Sequence, residues 1–221
     1  KVAQISPLLR VRFSTSHPKD ITDEVLHIMA KYENICNYIH LPVQSGSNRI
    51  LQLMNRTYTR EWYMKKVDRI REILPDCGIS TDVITGFCTE TEEDHQETME
   101  VMAYSRYDLA YMFFYSERPG TLAARRYQDD VPEEVKKRRL AEVVELHRGQ
   151  SLASMQQDVG KTFKVLVEGT SKRSEDQLFG RTGHNKVIVF PKENYQKCDY
   201  VWVKVDSCTS GTLIGTPTGK A

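Results

Sequence analysis

No two of the five cysteines, Cys36, Cys77, Cys88, Cys198 and Cys208, stand two or three positions apart. The spacing excludes the paired-cysteine patterns of zinc and iron–sulfur sites within this stretch and fits the reduced thiols of a cytoplasmic protein. No apolar run approaches the ~20 residues that cross a bilayer, and the N-terminus has no signal-peptide core, so no membrane partner is expected. An excess of one charge is also missing, because 31 Lys and Arg face 30 Asp and Glu. Whole-chain charge therefore singles out no partner. Internal repeats and low-complexity tracts are lacking too.

What is present is a chain of 221 residues, enough for one or two domains with a sizeable core. With 39% hydrophobic and 28% charged residues it has an ordinary globular composition. The charge is unevenly spread. Residues 159–221 carry 10 Lys and Arg against 6 Asp and Glu, whereas residues 1–158 carry 21 against 24. A basic tail on a mildly acidic body points either to phosphate contacts or to a solvated β module.

Strand and helix signals alternate over the first two-thirds of the chain. Strands are expected at residues 8–13, 37–41, 79–84 and 109–115. Helices are expected at 21–32 with Thr22 as cap, at 48–54 after Ser47, from Thr59 to Pro75, and from Thr91-Glu-Glu-Asp94 to about Ser105. Such β-then-α units imply parallel strands with right-handed crossovers. Four strands are too few for an eight-stranded barrel, so the expected fold is α/β, a partial (half) TIM-like barrel. Pro132 then opens a long helix to about 157, with Glu133 and Glu134 in its first turn. Short alternating runs at 163–167, 177–181, 187–190, 200–205 and 212–214 follow. They predict a small five-stranded all-β barrel, in the style of an oligonucleotide-binding fold. The expected domains are 1–157, with 132–157 as the bridging helix, and 158–221.

The run His40-Leu-Pro-Val-Gln44-Ser-Gly-Ser47 sits at the C-terminal end of an expected strand, where α/β folds build their sites. Pro42 fixes φ, Gly46 permits a tight turn, and Ser45 and Ser47 suit caps for the next helix. His40 and Gln44 are left facing the mouth, offering donors and acceptors for a carboxylate, a ribose or a base edge. On the strand that follows, Ser80, Asp82 and Ile84 share one face and Thr81, Val83 and Thr85 the other.

The ordered motifs His40 to Ser47, Met54-Asn-Arg-Thr-Tyr-Thr59, Ser80-Thr-Asp-Val-Ile-Thr-Gly-Phe87 and Ser116-Glu-Arg-Pro-Gly-Thr121 resemble the methylthiotransferase branch of radical S-adenosylmethionine (SAM) enzymes. Val167-Glu-Gly-Thr170 and Gly180-Arg-Thr182, after the long helix, resemble the TRAM RNA-binding module. The resemblance implies methylthiolation of C2 of N6-dimethylallyladenosine next to a tRNA anticodon. Relatives using the same machinery act on a ribosomal-protein aspartate or on threonylcarbamoyl-adenosine, and a non-catalytic RNA-binding module is the remaining alternative. Implied cofactors are SAM and, in a full-length protein, two [4Fe–4S] clusters whose cysteines this chain lacks. Implied partners are a tRNA anticodon stem-loop, a missing N-terminal region and an electron donor. The abrupt opening on Lys1-Val-Ala fits a piece of a longer protein, and such a piece is expected not to cleave SAM alone.

For SAM and the target base the resemblance points to Arg12, Ser14 and Thr15 at the end of the first strand, and to His40, Gln44, Asp82, Gly86 and Phe114. Asp82 suits hydrogen bonds from the ribose or amine of SAM, or else a helix cap or ion pair. Arg12 suits a carboxylate or phosphate, or an internal ion pair. Gly86 would leave room for the adenine. Of Phe113, Phe114 and Tyr115, the inward one covers the cofactor or base, or else all three pack in the core. For RNA the group is Lys161, Lys172, Arg173, Arg181, His184 and Lys186, interleaved with Phe163 and Phe179. No catalytic or metal-ligating residue is assigned. One turn departs from the family: Gly86-Phe-Cys-Thr-Glu-Thr91 stands where Gly-Phe-Pro-Gly-Glu-Thr is usual, so its backbone freedom is changed.

Overall fold

A computed structural model describes residues 1–14 and 17–221, and its backbone divides the chain into two compact units. One comprises residues 13–28 and 39–148, the other residues 1–12, 29–38 and 149–221.

The first unit is built on β-then-α repeats. The Thr22 hydroxyl accepts from the Val25 N–H at 3.4 Å and opens α1 (Asp23–Lys31). Strand β1 (Tyr38–His40) leads through the His40–Ser47 segment into α2 (Asn48–Leu53), whose cap is Ser47. Thr59 caps α3 (Arg60–Ile73), and Pro75 lies two residues past its end. After β2 (Gly78–Thr85) comes α4 (Glu92–Ser105), where Thr91 and Asp94 form a reciprocal capping box. Then follow β3 (Leu109–Phe114), a five-residue α5 (Leu122–Arg126) that the sequence reading did not anticipate, and α6 (Glu133–Gln156).

The sheet order is β1-β2-β3, with β2 and β3 parallel from Ser80↔Leu109 to Thr85↔Phe114. Alternation gives its two faces different fates. Thr81, Val83, Thr85 and Ala110 are buried on one; Tyr111 and Phe113 are 46% and 55% exposed on the other, with Asp82 and Ile84. The fourth strand, expected at residues 8–13, does not form. Val11 makes only an isolated bridge to Ile35, because the Arg10 and Arg12 guanidiniums are drawn to carbonyls of Lys164, Arg181 and Thr182.

In the second unit, β4 (Thr162–Thr170), β5 (Gln177–Arg181), β6 (Val187–Pro191), β7 (Tyr200–Cys208) and β8 (Leu213–Lys220) close a barrel in the order β4-β5-β6-β8-β7. Val165, Val167, Leu178, Ile188, Phe190, Val201, Val203, Val205 and Leu213 fill it. The last strand runs well beyond the expected residues 212–214. Its polar C-terminal half carries no apolar signal, and pairing with β7 from Cys208↔Leu213 to Val201↔Lys220 holds it.

Candidate cofactor wall and nucleic-acid interface

Residues 41–44 continue β1 along the edge of β2. Leu41 N donates to Ser80 O at 2.7 Å, Gln44 N to Asp82 O at 2.8 Å, and Ile84 N to Gln44 O at 2.9 Å. This pairing brings His40 over the polar face of β2. His40 Nδ1 lies 2.9 Å from Ser80 Oγ, Nε2 lies 3.4 Å from Asp82 Oδ2, and the ring meets Tyr111 edge-on at 6.0 Å. Asp82 keeps a third of its side chain in solvent. A carboxylate, an imidazole and a phenol ring thus share one accessible face at the C-terminal half of parallel strands, where this architecture binds ligands. Such a set can accept from hydroxyls or an ammonium and can lie against an aromatic base.

The rest of the motif works differently from its expected role. Gly46 makes no left-handed turn: a Cβ there would sit far inside van der Waals contact with the backbone of Glu97 and Thr98. Gly46 N donates to Thr98 Oγ1 at 2.9 Å, Ser45 Oγ lies 3.3 Å from the same oxygen, and Ser47 Oγ donates to Asp94 Oδ1 at 2.5 Å. Ser-Gly-Ser is therefore the dock for α4, and only Ser47 caps α2. The strained position is Gln44, a non-glycine at φ 69° with a buried side chain.

Burial raises the Asp94 carboxyl, but donors on Arg49, Ser47 and Thr91 outweigh it and bring the pKa down to about 2. In the departed turn, Thr89 occupies the family's usual glycine position and adopts φ 67°. Arg49 holds its hydroxyl at 2.9 Å and its carbonyl at 2.6 Å, and Asp130 accepts its N–H at 2.7 Å. Gly86 is required by its backbone angle and by a neighbouring side chain. Its φ is 66°, and the space a Cβ would take is filled by the Lys136 chain. Beneath this turn Arg139 and Glu90 form a buried ion pair at 3.0 Å, and burial still raises the Glu90 pKa.

Of the other expected residues, Phe114 pairs in register with Thr85 and so falls on the face away from Asp82. It lines a cavity of 590 Å³ with Ile84, Met112, Tyr115, Arg118 and Leu140. Tyr111 and Phe113 hold the accessible face instead, and carrying the two-residue alternation of β2 across to β3 would have found them. Arg12 is not at a strand end, since that strand is missing; it reaches the Thr182 carbonyl at 3.4 Å. Ser14 is exposed, and Thr15 lies outside the described residues.

In the barrel unit Lys161, Lys172 and Arg173 are exposed. Lys186 is not available to a phosphate: it is nearly buried, donating to Ser154 Oγ at 2.8 Å and Asp158 Oδ2 at 2.6 Å. Arg181 is engaged by Glu168 and Asn185, and His184 meets Phe163 edge-on at 5.8 Å. Lys164, Tyr200, Trp202 and Lys204, outside the expected RNA group, stand on the outer face of β4 and β7.

Among the described residues no three His, Cys, Asp or Glu side chains gather as metal ligands. Burial pushes the Cys77 thiol up to about 12 and also raises Cys88. These buried, protonated thiols do not fit an iron–sulfur cluster.

This parallel half-sheet with its polar open face is a radical SAM fold: residues 1–102 match the Radical SAM superfamily, and residues 156–218 match the TRAM domain. The tRNA-2-methylthio-N(6)-dimethylallyladenosine synthase of Amoebophilus asiaticus is 60% identical over 97% of this chain and 44% of its own length. Those of Phocaeicola vulgatus and Christiangramia forsetii are 58% and 56% identical over 97% and 99% of the chain, and 47% and 45% of theirs. The chain is similar over nearly its whole length to these synthases and spans a little under half the length of the relatives it matches. Coproporphyrinogen III oxidase from Escherichia coli, a radical SAM enzyme, shares the fold at a TM-score of 0.52 with 16% identity, over 76% of this chain and 45% of that one.

Proposed function

We propose that the chain is part of an enzyme that methylthiolates C2 of N6-dimethylallyladenosine in tRNA. In this reading it supplies one wall of the SAM and adenine pocket together with an RNA-binding module. The observation that carries the reading is the set Asp82, His40 and Tyr111 on one accessible face, in a chain 60% identical to a synthase of that name. Asp82 would accept from the ribose or amine of SAM, with His40, braced by Ser80, setting the carboxylate's position. Tyr111 and Phe113 would lie against a purine ring and exclude water from it. SAM, when bound, supplies the radical and methyl chemistry; cluster ligands would come from the rest of the protein, along with contact to an electron donor. A tRNA anticodon loop would present its splayed adenine to this wall, and the exposed Lys161, Lys172 and Arg173 would meet phosphates. The setting is cytoplasmic, and the 221-residue chain alone would not cleave SAM.

Nucleoside mass spectrometry of tRNA from cells with and without the gene tests the reading. Loss of 2-methylthio-dimethylallyladenosine is expected on deletion, with restoration by the full-length gene. Asp82→Asn should lower the restored activity about 10- to 100-fold, the scale of one charged hydrogen bond. An unchanged modification after deletion rules the function out; full activity of Asp82→Asn rules out the wall.

A further inference from the structure

We infer that the outer face of β4 and β7 is a stacking platform for an unpaired RNA base, with the Trp202 indole as the platform and Lys164 and Lys204 as flanking phosphate contacts. The inference rests on the RNA-binding reading above but names a different surface from the one the basic tail suggested. In β7 the inward positions are Val201, Val203 and Val205, so Tyr200, Trp202 and Lys204 point out. Across the sheet Lys164 stands beside Trp202, and Thr162 beside Lys204. On the other flank Trp202 is paired with Gly219, which has no side chain to cover the ring.

The indole is 43% exposed in consequence. Tyr200 differs, since its ring is already covered: Lys164 Nζ sits 4.9 Å from its centroid, the Arg10 guanidinium 5.3 Å away, and its hydroxyl donates to Leu8 O. Arg10 is spent on the Lys164 and Arg181 carbonyls, so it is structural.

The charge around the indole favours an anion. Among the described residues neither Lys164 nor Lys204 has a carboxylate partner, while the nearby acids are occupied. Glu168 holds Arg181, Asp199 holds Lys220, and Asp206 accepts from Thr216 Oγ1 at 2.7 Å. An open aromatic bracketed by two ammonium groups that no carboxylate neutralises, Lys164 resting on the Tyr200 ring, is what a splayed base and its two phosphates require, and every base offers a face to stack. An acidic peptide would use the lysines but has no need of the bare indole face.

Trp62 and Trp202 are the two tryptophans of this chain, so Trp62→Phe leaves Trp202 as its one indole reporter. Titration of the 221-residue chain with an anticodon stem-loop RNA should quench that fluorescence saturably, whereas a blunt duplex of equal length should quench it far less. Trp202→Ala should weaken stem-loop binding about tenfold by anisotropy, with Trp202→Phe restoring most of it. Lys164→Ala with Lys204→Ala should lower the log–log salt slope by about 2. If the stem-loop binds without quenching and Trp202→Ala stays within twofold, the platform is wrong while the RNA reading stands. Quenching by an acidic peptide but by no RNA would assign the face to a protein partner and overturn the inference. Failure of the chain to bind any RNA removes the RNA reading itself.

Discussion

In the barrel every strand has two hydrogen-bonded neighbours, and aliphatic side chains from all five strands meet inside. The parallel sheet of β1, β2 and β3 has an edge on either side, and one of its faces, buried at Ser80, opens to solvent at Asp82, Tyr111 and Phe113. Parallel sheets are ordinarily covered on both faces. The barrel's alternation is thus consumed by its own core, Val201-Trp-Val-Lys-Val205 being the clearest run, and it leaves outward residues free for recognition. In the sheet, alternation leaves Asp82, Tyr111 and Phe113 on a face that His40 covers only in part, with Tyr111 and Phe113 about half exposed. Half-exposed aromatic residues on such a face add little to stability.

The sharpest test of this contrast is a matched pair of truncations. Phe190→Ala in the barrel core should cost about 4 kcal/mol, the scale for emptying a fully buried phenylalanine site. Phe113→Ala on the open face should cost under ~1 kcal/mol. Urea unfolding reports each region separately: Trp202 in Trp62→Phe protein reads the barrel, and Trp62 in Trp202→Phe protein reads the sheet unit. Equal costs for the two truncations would mean that the sheet face is core after all.

The architecture was legible because periodicity and capping are local. Thr22, Ser47, Thr59 and Thr91 each start a helix where the sequence places one, and five alternating runs become five barrel strands. What failed depended on partners far along the chain. Residues 8–13 alternate like a strand, yet Arg10 and Arg12 find carbonyls more than 150 positions away. Gly46 suggested a turn, whereas its absent side chain serves the approach of α4. Lys186 looked like a phosphate contact, but Asp158 and Ser154 had already taken it. At the site, His40 and Asp82 do come together, while Phe114 was chosen without the β2–β3 register that sends Tyr111 and Phe113 to their side.

The two regions should also part company in acid. The sheet unit relies on titrating groups: Asp94, nearly buried, holds Ser47, Arg49 and Thr91 with its pKa brought down to about 2 from the usual 3.8. A depressed carboxylate pKa gives stability that is complete above 3.8 and lost as pH falls toward 2, here about 2 kcal/mol. Burial lowers His95 and His147 as well, and Ala110 N donates to His147 Nε2 at 3.1 Å, a bond that needs the neutral ring. Their contribution is present above the ordinary 6.5 and begins to fail below it. The Val-rich barrel core is uncharged, the unit's buried Asp158–Lys186 pair lying outside it, so Trp62 should report acid unfolding at a higher pH than Trp202. Coincident transitions would contradict this, and Asp94→Asn should move only the Trp62 transition.

The smallest effect is expected from one substitution made in each region. Thr89 is β-branched at φ 67°, a conformation that costs about 1–2 kcal/mol for such a residue and nothing for glycine. Against that gain, Thr89→Gly loosens the unfolded chain by about 0.5–1 kcal/mol and loses an exposed hydroxyl bond to Arg49. The sum is zero to slightly stabilising. In β8 the exposed Thr216 has no left-handed φ to relieve, so Thr216→Gly should cost about 1 kcal/mol through strand propensity and the lost bond to Asp206. Opposite or unequal signs in the two melts would place the strain in the turn that departs from the family pattern. A loss at Thr89 as large as that at Thr216 would show that Arg49 and Asp130 make the turn favourable despite its φ.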